Sequence, residues 1–523
     1  MTMVTLLALL PIALLIVLML ALKMRGDKSA LCALATAAFL ALMVVPRLEG
    51  FAPYLPQGYS ASGVGWAFVE GVLKAVLPIL LIIMMAIYSY NVLLESKQIE
   101  VIKAQFTRIS SDRRLQVLLI VWGFGGLLEG MAGFGTAVAI PAAILIGLGF
   151  APGFSALVSL IANSVATGFG AVGVPVITLA KEAFGQEVTT LEIQATAGDV
   201  ILQLSALMFL VPFVILYLTD SRRSMLLSNL LLSLSVGGIS LAVQFASAYF
   251  IGAETPAILG SLACILFILI YARLREPRRR EEGEVRPQGG LRAWAVYGCI
   301  LLFILIASPL GGGVSLWLRT HGVSEIKLPI YTSGEIFRFG WLSNAALMLL
   351  LGSFVGGLLQ GLRPIQLLRL LGQTIWSLRF SATTIVSLVA MSAIMSYSGM
   401  ITAIAHTLVE TTGGWYPLFA PLVGALGTFA TGSDTSSNIL FGRLQAQVAD
   451  QLSMDRAWLA AANTAGATGG KIISPQSIAI ATAACGQGGK EGAILRSALP
   501  YALLYVLIVG ITVYCCAALA LPH

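Results

Sequence analysis

The feature that most constrains this chain is a succession of apolar runs about 20 residues long, the length at which an α-helix crosses the core of a bilayer. Apolar residues make up 58% of the 523 positions, and charged residues make up only 11%. A soluble domain is about 25% charged, and no soluble fold can hide so much apolar surface from water. The sequence therefore predicts an all-α polytopic membrane protein surrounded by membrane lipids. It excludes a cytosolic enzyme, a nucleic-acid-binding protein and a secreted disulfide scaffold.

About twelve of these runs are predicted to be full transmembrane helices. The first has no basic residue before it and is followed by Lys23, Arg25 and Lys28, the reverse of the charge order in a cleaved signal peptide. Two further runs, 115–150 and 415–450, are each interrupted in the middle by glycine and polar residues. The twelve predicted spans are 3–22, 29–46, 66–94, 153–180, 196–219, 226–250, 256–274, 293–311, 342–361, 367–398, 455–483 and 493–520.

Basic loops fix the orientation of these spans, because Lys and Arg are enriched on the cytoplasmic side. All the basic loops fall on one side only if 115–150 and 415–450 are re-entrant hairpins, each of which enters and leaves on the same face. The first hairpin then opens to the cytoplasm, the second opens to the exterior, and both termini are external. The loops in question are 23–28, 95–114, 220–223 and the linker between the two halves, 273–292.

The two hairpin regions begin two similar units. Glu129 precedes Asn163 by 34 residues, and Thr431 precedes Asn463 by a similar interval. Each asparagine opens a glycine-rich stretch that looks too irregular for a helix. Two such units that enter from opposite faces indicate an inverted repeat with two discontinuous helices and a substrate site at the midplane. The alternative is that the glycines only allow close helix packing.

We treat residues 1–523 as one transporter domain with two repeats. The first repeat is about 66–219 and the second is about 364–520; hairpins 115–150 and 415–450 are followed by broken helices 153–180 and 455–483.

Ionisable residues inside the membrane are functional candidates, because each costs about 2.5–3.5 kcal/mol on insertion scales. Glu129 and Asp434 each lie at the break of a hairpin. Desolvation there favours a neutral carboxyl, so both are predicted to be proton-coupling groups. Glu129 has apolar neighbours and is the better predicted proton carrier, whereas Asp434 is expected to stay ionised or to pair with Lys471. Lys471 could equally serve the substrate or neither group.

Three other sets of polar residues lie in the predicted spans or in the second hairpin. Glu70 and Lys74 have the i,i+4 spacing of a local ion pair. Asp199 is close enough to a helix N-terminus to be a cap or a partner of the helix dipole. The hydroxyls and free amides of the Ser/Thr cluster 431–438 are suited to binding a small carboxylate. None of the six cysteines has CxxC spacing and the chain has three histidines, so no metal site is expected.

Several long motifs of both units closely resemble the lactate permease family. The similarity extends from about Ser111 to the C-terminus and is weak across the first two spans and 276–340. The motifs are Trp122 to Thr136, Leu160 to Asn163, Phe169 to Gly173, Thr431 to Asn438, and Ala461 to Asn463 followed by Lys471 to Ala481.

The resemblance implies a secondary transporter of L-lactate, and of D-lactate and glycolate in known members, that moves its substrate with protons across the bacterial inner membrane. It implies no enzyme activity and no cofactor. The alternative is a carrier for another small organic anion, which could be sodium-coupled. A membrane enzyme would need a catalytic set that the sequence lacks, and a passive channel would not need inverted broken helices. The candidate substrate-binding residues are Gly133, Thr136, Asn163, Ser433, Asp434, Thr435, Ser436, Asn463, Lys471, Ser474 and Gln476.

Overall fold

A computed structural model describes most of the chain as packed helices. The predicted linker 273–292 falls largely outside the described part, and of Thr136 only the backbone is described. The described residues are 3–20, 22, 24–56, 58–107, 110, 112–131, 133, 135–185, 187–275, 290–307, 311–330, 335–487 and 490–517.

The first half of the chain contains thirteen α-helices in its described part. Short π-helical segments extend α2 and join α3 to α4 and α6 to α7, so that 113–131 forms one continuous helix. The helices are α1 (Met3–Leu20), α2 (Gly26–Phe39), α3 (Ala61–Lys74), α4 (Leu81–Glu95), α5 (Gln98–Thr107), α6 (Arg113–Val117), α7 (Gly125–Met131), α8 (Thr136–Gly147), α9 (Pro152–Thr167), α10 (Gly170–Phe184), α11 (Thr190–Thr219), α12 (Leu226–Phe250) and α13 (Pro256–Arg275).

The second half contains eleven α-helices and two strands among its described residues. They are α14 (Ala295–Ala307), α15 (Gly313–Thr320), β1 (Val323–Leu328), β2 (Glu335–Gly340), α16 (Ala345–Leu359), α17 (Pro364–Ser377), α18 (Arg379–Tyr397), α19 (Met400–Thr412), α20 (Tyr416–Thr431), α21 (Asp434–Leu452), α22 (Arg456–Ile473), α23 (Pro475–Ala484) and α24 (Glu491–Cys516).

The helices have the length and composition of a multi-pass membrane protein. In the described part of the chain, seven helical segments are long and apolar enough to cross a membrane, and two bent helix pairs raise the number to nine. Several other apolar helices, including Met3–Leu18 and Ala346–Leu359, fall short of that length. The all-α membrane architecture is therefore confirmed, and the count of twelve spans with two hairpins stays a prediction.

Residues 312–341 contain the only strands among the described residues. They contain α15 and an antiparallel pair in which β1 and β2 place Val323 opposite Gly340. Phe337 and Phe339 are buried and alternate with Arg338, the period-2 pattern of a strand with one covered face. Arg338 also lies 3.0 Å from Glu325 on the opposite strand. This small hairpin is an addition to an otherwise helical body.

Two successions of helices along the chain match each other in order. In the first unit, α7 and α8 are followed by α9 and α10, which are bent by 48°. In the second unit, α20 and α21 are followed by α22 and α23. The division into two inverted repeats, 66–219 and 364–520, stays a prediction.

The break between α9 and α10 is the more strained of the two. Ala171, Val172 and Gly173 have φ values of 46°, 59° and 75°, in the left-handed region. A β-branched residue such as Val172 rarely adopts this conformation, which costs about 1–3 kcal/mol and is typically found at functional sites. The second break is simpler, because the extended residue Ser474 separates α22 from Pro475 at the start of α23.

The glycines after Asn463 do not break the helix, and the sequence-based prediction is wrong on this point. Asn463 to Gly470 lies within the continuous helix α22. A Cβ atom added to Gly466 or Gly470 would collide with the backbone of α20 at Pro421 or Ala425. Close packing, the alternative explanation, therefore accounts for these glycines.

Candidate functional site

The junctions α7–α8, α9–α10, α20–α21 and α22–α23 meet around one cavity of about 280 Å³. It collects residues that lie more than 300 positions apart in sequence. Eight of the candidate residues line it: Glu129, Gly133, Ser433, Asp434, Thr435, Ser436, Lys471 and Gln476.

Glu129 of α7 and Lys471 of α22 form an ion pair that links the two units. Lys471 Nζ lies 3.0 Å from Glu129 Oε1, and their side chains are 12% and 2% exposed. The other oxygen, Glu129 Oε2, is buried and has no hydrogen-bond partner among the described residues. A Cβ atom at Gly170 would lie 2.7 Å from Oε1, so glycine at the start of α10 leaves room for this carboxyl.

Asp434, the first residue of α21, has a different environment. It is 2% exposed, and neither of its carboxyl oxygens has a hydrogen-bond partner in the described part of the protein. A buried carboxyl that accepts no hydrogen bond is far more stable neutral than ionised. The structure differs in part from the sequence-based expectation, because Lys471 forms its ion pair with Glu129 and interacts with Asp434 only electrostatically.

The N-terminus of α21 faces the cavity beside Asp434. Ser433 caps this helix by accepting a hydrogen bond from the backbone N–H of Ser436 at 3.2 Å. The first N–H groups of a helix have no partner within the helix, and its dipole favours an anion at this end. Gly432, with a φ of 73°, provides the turn that brings Ser433 and Thr435 to the cavity wall.

The N-terminus of α23 supplies another part of the wall. Ser474 is fully buried and caps α23, because its Oγ accepts the backbone N–H of Ser477 at 3.2 Å. Ser474 therefore lies behind the cavity, whereas Gln476 and Ser477 line it.

The two predicted asparagines also lie behind the lining. Asn463 donates to Asn438 Oδ1 at 2.9 Å, and Asn438 donates to the backbone oxygen of Pro175 at 2.9 Å, which ties α22, α21 and α10 together. Asn163 donates at 3.3 Å to Thr167, which does line the cavity. Thr136 begins α8, and its side chain lies outside the described residues.

Several lining residues are not predicted from the sequence. Val174 of α10, Ile385 and Thr384 of α18, and Ile480 of α23 all reach the cavity. Apolar residues in apolar helices give no local signal of a binding site. Thr384 and Ile385 reach the cavity because α18 packs against α21.

A second group of buried charges lies apart from the cavity lining. Lys74 contacts Glu70, which confirms the predicted i,i+4 pair, and both residues are buried. Glu182 of α10 and Arg443 of α21 interact electrostatically with Lys74, and Arg443 also donates to the hydroxyl of Ser396. Four helices are joined by this cluster.

The interpretation of Asp199 as a helix cap is wrong. The helix α11 begins at Thr190, nine residues before Asp199. Thr189 is the N-cap and forms a capping box with Glu192.

Nearly the whole chain is similar to proteins of one known family. A family model described as L-lactate permease matches residues 4–520. An L-lactate permease from Streptococcus iniae is 37% identical over 462 residues, which cover 87% of this chain and 93% of that protein. Glycolate permease GlcA and an L-lactate permease, both from Escherichia coli strain K12, are 32% and 31% identical, and each comparison covers 97% of this chain and 94% of the relative.

Two solved structures share the fold at low sequence identity. The YdaH transporter of Alcanivorax borkumensis has a TM-score of 0.56 and 13% identity, and the match covers 94% of this chain and 99% of that one. MtrF of Neisseria gonorrhoeae has a TM-score of 0.54 and 12% identity, with coverage of 93% and 94%. At this identity the likeness shows a common fold and nothing about the substrate.

Proposed function

Because the chain belongs to the L-lactate permease family, we propose that it takes up L-lactate, D-lactate and glycolate by proton symport across the bacterial inner membrane. It acts as a carrier and not as an enzyme. The observation that carries the proposal is the cavity in which a lysine, a helix N-terminus and an unpaired carboxyl meet. The competing function is a sodium-coupled carrier for another small organic anion.

The carboxylate of the substrate binds at the N-terminus of α21. The amides of the first turn and the hydroxyls of Ser433, Thr435 and Ser436 supply hydrogen-bond donors, and the helix dipole favours the negative charge. Lys471 adds a positive charge to the same cavity. Gln476 and Gly133 complete the polar lining, with Asn163, Asn463 and Ser474 holding the wall from behind.

The proton travels on Asp434. A substrate carboxylate, Glu129 and Asp434 would place three negative charges around the single positive charge of Lys471 if all were ionised. Glu129 already has an ion-pair partner, Lys471, at 3.0 Å. Asp434 has no such partner in the described structure, and protonating it removes the repulsion when the substrate binds.

We place the carrier in the membrane with the topology predicted from the sequence, which has twelve spans, two re-entrant hairpins and external termini. In alternating access, the cavity opens to one side of the membrane at a time. The cavity extends to Gly26, at the start of α2, within the basic segment 23–28. Since basic loops mark the cytoplasm, this contact supports a cavity that faces inward. The two hairpin units would move together against the remaining helices, with repeats 66–219 and 364–520 related by inversion.

Uptake into proteoliposomes tests the proposed function. Purified protein is supplied with labelled L-lactate, D-lactate, glycolate and a panel of other carboxylates, under a pH gradient, a sodium gradient or neither. Accumulation of the 2-hydroxy acids that follows the pH gradient alone is expected. Accumulation that requires sodium, or that excludes lactate and glycolate, supports the competing function instead.

A further inference from the structure

Part of the cavity wall is apolar and comes from three different elements. Val174 of α10, Ile385 of α18 and Ile480 of α23 line the same cavity as Lys471 and the N-terminus of α21. A carboxylate loses its hydration against such side chains without gaining hydrogen bonds, so this part of the wall cannot be its binding place.

We propose that Val174, Ile385 and Ile480 hold the alkyl group of a short 2-hydroxy acid, and that Ile480 sets the longest alkyl group that the carrier accepts. This inference rests on the proposed function and adds a determinant of chain length to it. The transported class is then 2-hydroxy monocarboxylates whose group at C2 is a hydrogen or a small alkyl group.

The position of Ile480 makes it the residue that limits length. It lies one helical turn after Gln476 in α23, so both side chains project to the same face of the helix. This face of α23 thus presents an amide near the N-terminus of the helix. It presents an apolar side chain four residues farther along, at a rise of about 1.5 Å per residue.

The tip of the first hairpin holds Ile480 in place. A Cβ atom on Gly135 would lie 2.5 Å from Ile480 Cδ1 and 3.4 Å from its Cγ2, so the isoleucine occupies the space that a side chain at position 135 would need. Gly135 itself has a φ of 82°, a conformation suited to glycine. Because backbone supports its far end, Ile480 cannot withdraw easily to admit a longer substrate.

The size of the expected effect follows from apolar recognition. One methylene in an apolar pocket changes discrimination between substrates by about 10- to 200-fold. Shortening Ile480 to alanine should therefore raise the transport of 2-hydroxybutyrate and 2-hydroxyvalerate, relative to lactate, by about tenfold or more. Enlarging it to phenylalanine should reject lactate and retain glycolate, which has no alkyl group at C2.

The test measures kcat/KM for glycolate, L-lactate, 2-hydroxybutyrate and 2-hydroxyvalerate in proteoliposomes. The variants are Ile480→Ala, Ile480→Phe and Val174→Ala, which widens the same wall from another helix. Ile478→Ala is the matched control, because Ile478 is a buried isoleucine of the same helix that does not line the cavity.

A change in the ratio between acids in the Ile480 and Val174 variants, with unchanged ratios in Ile478→Ala, supports the inference. Equal loss for all four acids overturns it, because a purely structural role affects every substrate alike. If the wild-type protein transports lactate and no variant alters the ratios, only this inference fails. If the wild-type protein transports none of the four acids, the proposed function fails as well.

Discussion

Replacing Lys471 by glutamine should leave the buried Glu129 carboxylate without its ion-pair partner. The two charges lie 3.0 Å apart, with Glu129 only 2% exposed. At an effective dielectric constant of about 20 this pair attracts by about 5 kcal/mol. Removing one member of a buried pair costs about 3–5 kcal/mol, because the remaining charge is not compensated. We expect Lys471→Gln to lower the free energy of unfolding by that amount.

The double variant Lys471→Gln/Glu129→Gln distinguishes the loss of the ion pair from a nonspecific loss of stability. It contains neither charge, so its loss of stability should be smaller than the sum of the two single losses, by the coupling energy of about 0.5–3 kcal/mol that is typical of residues in contact. Unfolding of the purified protein in detergent, without substrate, measures Lys471→Gln, Glu129→Gln and the double variant. Lys490→Gln, at an exposed lysine, is the control and should be neutral. A double variant whose loss equals the sum of the single losses refutes the pairing of Lys471 with Glu129.

Three further predictions concern the anion site, helix packing and topology. Ser433→Ala should weaken lactate binding roughly tenfold to a hundredfold, since a hydrogen bond to a charged group contributes about 1.5–3 kcal/mol; calorimetric titration showing unchanged affinity would move the carboxylate elsewhere. Gly466→Ala should destabilise the protein by about 1–3 kcal/mol because its Cβ meets the α20 backbone, whereas Gly492→Ala, in open space, should not. Single cysteines at the exposed residues Arg113 and Thr411 should be labelled from opposite sides of the membrane in a cysteine-free background, and same-side labelling contradicts the inverted repeat.

Membrane architecture and the main residues of the candidate site can be predicted from this sequence, for physical reasons. Long apolar runs must become helices in lipid, because each backbone polar group needs a partner there. Glu129, Asp434 and Lys471 stand out because charges are rare in such runs, and all three line one cavity. The positions where polar residues interrupt apolar runs therefore indicate the site without any tertiary information.

The partner of Lys471 and the packing of the glycines in α22 could not be predicted from the sequence. Whether Lys471 meets Glu129 or Asp434 depends on how α22 packs against α7 and α21, which are far apart in sequence. In the sequence, Gly466 lies in a glycine-rich stretch that suggests a helix break, but in the structure it allows close packing against α20. Only the position of α20 distinguishes these two explanations. Ile480 gives no signal at all, because an isoleucine that lines a cavity looks like one that faces lipid.

Asp434→Asn gives the most direct test of proton coupling. Asparagine keeps the shape of the side chain and is permanently neutral, as the protonated carboxyl is. The variant in proteoliposomes should exchange labelled for unlabelled lactate across the membrane and fail to accumulate lactate under a pH gradient. Full accumulation driven by the pH gradient would show that the proton travels on another group and contradict the assignment to Asp434.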